Sequence, residues 1–151
     1  MSESRLYPGY THTQIGWVII VSLIVGALVV GFLYHDTPLF PPWPIFATLG
    51  FILLLFGWLT VTVDDHHLRA TFGLVVSMPA IKLADVETAE VVTNSILIGW
   101  GIRFLKGGIM YNVSGLQAVQ MTTKEGYIYR IGTDDPQGLL RAVRMRLAAR
   151  P

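Results

Sequence analysis

The sequence predicts a hairpin of two transmembrane helices followed by a mainly-β domain closed by a C-terminal α-helix. Three observations carry this. Between Gln14 and Val63 the only formally charged residue is Asp36, and a stretch that poor in charge belongs in lipid. After Val63, short segments alternate apolar and polar residues between glycine-bearing turns, the period of strands. From Pro136 the period becomes helical, with one apolar stripe.

The chain has 151 residues, room for one small domain plus an anchor. It is 52% hydrophobic and 14% charged, against about 25% charged in soluble domains. A net charge of +1 is too small to point to nucleic acid. With no cysteine there is no disulfide framework, thiol nucleophile or Cys-ligated metal.

Residues 1–14 read as a cytoplasmic tail, 15–62 as the membrane hairpin and 63–151 as the cytoplasmic domain. The first span, about 15–34, reads IGWVIIVSLIVGALVVGFLY. At 1.5 Å per residue it covers about 30 Å, the hydrocarbon thickness. Its apolar core is too long for a signal peptide and no small-residue cleavage site follows, so an uncleaved helix is predicted. The second span is about 44–61, with a helix end expected near Trp58 to Val61, where TVTV turns β-branched and alternating. Trp17, Tyr34, Trp43 and Trp58 stand near span ends, where amphipathic rings favour the interface. The loop 35–43 and its border hold four prolines and no Lys or Arg, which predicts a stiff outer turn. Arg5 before the first span and the basic residues from Arg69 onward place both termini in the cytoplasm by the positive-inside rule. The pairs Ser22/Gly26 and Ala27/Gly31 have the small-xxx-small spacing that lets helices approach.

Residues 64 to 151 carry 10 Lys/Arg and 8 Asp/Glu, an ordinary solvated surface. About seven short strands are predicted there as antiparallel meanders. Ile81, Leu83, Val86 and Val91 are candidate core residues. Lys106-Gly107-Gly108 and Lys124-Glu125-Gly126 read as hairpin turns, because glycine permits positive φ. A final helix is expected over about 136–149, with Asp135 as N-cap and Pro136 at its first position. Leu139, Leu140, Val143 and Leu147 form its apolar stripe, and Arg141, Arg144, Arg146 and Arg150 a basic face mostly off it. Gly138 in the first turn costs helix stability.

These segments together, LTVTVDDHHLRATFG, IKLADVETAEVV, GWGIR and GIMYNVSGLQAVQMTTKEGYIYRIGTDDPQGLLRAV, resemble the bacterial membrane-anchored proteins with a pleckstrin-homology-like (PH-like) domain. The resemblance covers about Leu59 to the C-terminus plus the two-span arrangement. It implies a PH-like split barrel capped by the C-terminal helix, in two-span members of largely unknown function. It does not imply phosphoinositide binding.

Asp64, Asp65, His66 and His67 carry metal-binding chemistry. Adjacent histidines on a strand or turn point to opposite sides, however, so the plainer reading is a polar, membrane-proximal hairpin turn. Trp100, Arg103 and Lys106 are candidate contacts for a lipid headgroup or a peptide. The bland alternative makes Trp100 a plug at the barrel mouth and pairs Arg103 with an acidic neighbour. Arg141 and Arg144 are candidates for anionic lipid, or simply a solvated face. Asn112-Val113-Ser114 matches a glycosylation sequon on the side predicted cytoplasmic, where it is a chance match.

No Ser-His-Asp order, P-loop or HExxH pattern occurs. The expectation is a non-enzyme without catalytic residues, cofactor or metal, in the bacterial inner membrane. The domain would bind another membrane protein or its own copies. An anionic-lipid-binding module is the alternative, and a small channel or transporter subunit a weaker one. The expected partners are the bilayer and a protein, with no nucleic acid and no small-molecule substrate.

Overall fold

A computed structural model describes residues 9–35, 41 and 43–149. The readings made for Arg5, Asp36, Arg150 and most of the proline-rich loop lie outside these residues. The chain forms a helix-rich N-terminal part, a mostly-β domain and a C-terminal helix.

Strand β1 (Tyr10–Ile15) runs through Gly16 into helix α1 (Trp17–Tyr34). Helix α2 (Trp43–Phe56) returns through Gly57 into β2 (Trp58–Val63). The expected domain boundaries are therefore corrected at both ends. Residues 10–15 are a strand of the β-domain, and the second helix ends at Phe56, before the span's predicted end. The reason is strand pairing between segments far apart in the chain. β1 alternates inward Tyr10, His12 and Gln14 with threonines, and β2 pairs with it from Ile15↔Trp58 to Tyr10↔Val63. A strand partner satisfies every backbone group of TVTV, which suits β-branched residues better than a last helical turn.

No residue of α1 or α2 is buried. Among the described residues one helix, α1, is long and apolar enough to cross a membrane. The 14 residues of α2 span about 21 Å.

Strands β3 (His67–Phe72), β4 (Val76–Ser77) and β5 (Ile81–Lys82) complete the first sheet, ordered β1-β2-β3-β4 with β5 also on β3. A single 3-10 turn, Leu83–Asp85, leads to β6 (Val86–Thr93). A second, Ile96–Ile98, leads to β7 (Gly101–Leu105). β8 (Gly108–Asn112), β9 (Gln117–Thr123) and β10 (Ile128–Gly132) follow. The second sheet is ordered β6-β9-β10-β8-β7.

This order corrects the expected antiparallel meander, because β10 lies between β8 and β9 and runs parallel to β8. Glycines at both ends of the parallel pair permit the close approach. A Cβ on Gly108 would collide with the Ile128 carbonyl, and one on Gly132 with the Asn112 side chain.

The two sheets and α3 (Pro136–Ala148) share one core. Leu59, Val61 and Val63 meet Leu68, Ala70 and Phe72 from the first sheet, and Val119, Met121 and Ile131 from the second. Leu139, Leu140 and Val143 of α3 close it. Ile81, Leu83 and Val86 are buried as their spacing predicts, and Val91 and Leu147 pack half-buried against the cluster. The Asp135 carboxylate accepts from Gly138 N–H at 3.0 Å, so the predicted N-cap is formed. Both glycine turns also form, with Gly107 and Gly126 at φ 82°.

Candidate interaction surface

The segment from β6 to β7 is built outward from a fixed start. Asn94 is buried, its N–H donates to Leu116 O at 2.7 Å, and its side-chain oxygen accepts from Arg130 Nη1 at 3.0 Å. Ser95 Oγ accepts from Leu97 N–H and starts the short 3-10 turn. That turn points its side chains outward, leaving Leu97 93% exposed. Gly99 and Gly101 then adopt φ 75° and 94°, a left-handed pair of bends that L side chains rarely take.

Between these glycines Trp100 is half-buried, and its Nε1–H donates to Gly115 O at 3.1 Å. The same carbonyl accepts from Asn112 Nδ2. The neighbouring Ser114 carbonyl accepts from Gln14 Nε2 at 2.8 Å. Trp100 is thus held through the 113–116 loop to the strand that enters α1.

β7 is an edge strand, bonded to β8 on one side and to no described strand on the other. Ile102 packs on the core, whereas Phe104, two residues on, is 86% exposed. Arg103 is exposed, and a Cβ on Gly99 would meet its Nη2 at 3.4 Å, so the guanidinium folds back over the glycine. Among the described residues Arg103 forms no ion pair, which corrects its expected pairing with an acid. Lys106 is exposed in the β7–β8 turn.

The arginines of α3 stand elsewhere. Arg144 donates from Nε and Nη2 to Ala89 O at 3.2 and 3.0 Å, covering part of the β6 edge. Arg141 is exposed and, with Gln137, Leu140 and Met145, lines a shallow groove of about 380 Å³. β6 and β7 are opposite edges of the second sheet, about 19 Å apart along it at four strand spacings. Trp100, Arg103 and Lys106 are therefore brought together on one edge, and Arg141 and Arg144 are not joined to them. Arg146 is only 6% exposed, which corrects its place on a solvated basic face. Its spacing from Leu139 and Val143 puts it on the apolar stripe.

The Asp64–His67 turn is also corrected. It closes the β2–β3 hairpin at the end away from α2, and the six residues of β2 place it about 20 Å from the helix end. Asp64 accepts from the N–H groups of His66 and His67 at 2.9 and 2.7 Å. Burial alone would raise its carboxyl pKa. Those two N–H groups, with Arg69 and His67 beside it, outweigh burial and hold it below the ordinary value. No group of three or more metal-ligating side chains occurs among the described residues.

Several features escaped the sequence reading. β1 fastens the start of α3: Tyr10 O–H donates to Asp135 Oδ2 at 3.1 Å, and His12 Nε2 meets Asp134 Oδ1. Burial and then the Asp135 carboxylate push the Tyr10 pKa well up. The YTHTQ alternation was the available signal. Arg130 is braced by Gln120 and Asn94, with Gln120 in turn bonded to Glu90. A cleft of about 520 Å³ opens between β5 and the β9–β10 turn, lined by Lys82, Asp85, Lys124, Tyr127 and Tyr129 among others. No protein-family model, no curated protein and no solved structure matches this chain.

Proposed function

We propose that this is a non-enzymatic bacterial inner-membrane protein whose β-domain is an interaction and self-assembly module. In this reading α1 and the shorter α2 both cross the bilayer, and both termini lie in the cytoplasm. The β-domain is then a PH-like split barrel, a reading supported by two sheets around one core with a helix closing it.

The free edge of β7 carries the proposal. An edge strand offers a row of unpaired N–H and C=O groups, and natural proteins normally protect such edges with charge, proline or a covering element. β6, the opposite edge, is partly covered by Arg144. β7 instead shows Phe104 almost wholly to solvent. An added strand gains backbone hydrogen bonds, while a side-chain pocket for Phe104 gives specificity. The separation of Arg103 and Lys106 from Arg141 and Arg144 counts against one continuous basic face for anionic lipid.

The test replaces Phe104 with a photo-crosslinking amino acid in the full-length protein and irradiates intact membranes. A discrete cross-linked species, to a second copy or another protein, is expected. Light scattering in mild detergent then sizes the wild type against Phe104→Lys. No cross-link, together with a monomeric wild type, overturns the proposal.

A further inference from the structure

The β3–β4 turn is bound to the end of α2. Gly73 N–H donates to Trp58 O at 2.8 Å, and Leu74 N–H donates to Leu54 O at 3.1 Å. The approach is so close that a Cβ on Gly73 would collide with the Leu54 carbonyl. The Leu74 bond therefore caps one of the last-turn carbonyls that α2 cannot satisfy itself, while the Gly73 bond extends the β2–β3 ladder. Phe56 packs against Phe72 at a ring separation of 6.0 Å, so the helix end and β3 form one unit.

The chemistry of this turn does not suit water. Leu74 is 64% exposed and Val75 71%. They adjoin Leu54, itself 47% exposed, so the apolar surface of α2 continues onto the turn, and contiguous apolar patches mark interaction surfaces. Their depth follows from the hydrogen bonds. Leu54 lies within the apolar helix, and Trp17 and Trp58 flank the same base, where tryptophans settle at the headgroup level. Leu74 N–H takes the place of the donor four residues on from Leu54, and Gly73 bonds Trp58 itself, so the turn lies level with Trp58. In lipid an unsatisfied backbone carbonyl costs several kcal/mol, so a helix ending below the headgroups needs a cap from protein, as found. The length of α2, about 9 Å short of the hydrocarbon thickness, also favours drawing apolar surface at its base into the bilayer.

We infer that the Gly73–Val75 turn is a membrane wedge, with Leu74 and Val75 embedded in the boundary between headgroups and acyl chains beside α2. This rests on the membrane-anchored reading above. The wedge and the α1/α2 base would then fix the domain's tilt at three points.

The chain has no cysteine, so single-cysteine variants can be labelled cleanly. Full-length Val75→Cys, Asp65→Cys and Leu28→Cys are each labelled with an environment-sensitive fluorophore in phosphatidylcholine vesicles. Asp65 is in the turn at the opposite end of β3, and Leu28 is an exposed residue within α1. Quenching by aqueous iodide is compared with quenching by a lipid-borne nitroxide. The wedge predicts that Val75→Cys is blue-shifted, quenched by lipid, and several-fold less sensitive to iodide than Asp65→Cys. If Leu28→Cys is lipid-quenched but Val75→Cys behaves like Asp65→Cys, the wedge is wrong and the anchor stands. If Leu28→Cys is open to iodide, the anchored reading fails and takes the wedge with it.

Discussion

The backbone N–H of Gly16 donates to the carbonyl of Gly57 at 2.8 Å, so α1 and α2 enter the first sheet as neighbouring strands. No linker separates the two helices from the β-domain. A change in the spacing of the two helices must act directly on the β1–β2 pair.

Residues 64–151 alone will not fold, because this fragment lacks β1 and β2 and with them buried Leu59, Val61 and Val63. Replacing residues 16–57 by Asn-Gly should give a folded, soluble domain. Ile15 already faces Trp58 in antiparallel register, the geometry that a two-residue Asn-Gly turn closes. Dispersed amide resonances from the second design, and collapsed ones from the fragment, are the expected spectra.

Gly73→Ala should destabilise the protein by at least about 1–3 kcal/mol, the range for a non-glycine residue held at positive φ. Gly73 has φ 50° and no room for a Cβ against α2. The readout is the urea midpoint in detergent. Gly26→Ala, at a site with open space around it, should not lower it.

Asp135→Ala removes the cap of α3 and should cost about 0.5–2 kcal/mol. Tyr10→Phe removes the other bond to that carboxylate, at about 1 kcal/mol. The double mutant should lose less than the sum of the two, by about 0.5 kcal/mol or more. Gly138→Ala should bring no gain, although alanine favours a helix. Its Cβ would displace the Asp135 carboxylate from its bonded position.

The Asp64 carboxyl is held below the ordinary 3.8 in the folded state. A depressed acid stabilises the fold when it is ionised, above its unfolded pKa, and that contribution is lost as pH falls through the folded value. The stability gap between wild type and Asp64→Asn should be complete at neutral pH and close below the ordinary carboxylate range. A gap unchanged between neutral pH and full protonation would remove the assignment. Urea midpoints measured across that range decide it.

Much of the local structure was legible. Glycines fixed the turns at Gly107 and Gly126, and Asp135-Pro136 fixed the start of α3, because these signals act within a few residues. The candidate surface was half legible. Trp100, Arg103 and Lys106 are close in sequence and stay together, whereas the exposure of Phe104 depends on β7 being an edge. That follows from strand order and has no local mark.

By itself the sequence determined an apolar first helix long enough to cross a membrane, a set of short strands and an amphipathic final helix. Each follows from the period of apolar residues along a continuous stretch. Only the tertiary structure decided that β10 enters between β8 and β9, that β1 belongs to the domain, and that Arg146 is covered. Those outcomes depend on contacts between residues far apart in the chain. Gly108 must meet Ile128, and Tyr10 must meet Asp135. Their free energy is gained only after long loops have closed, so no local period records them.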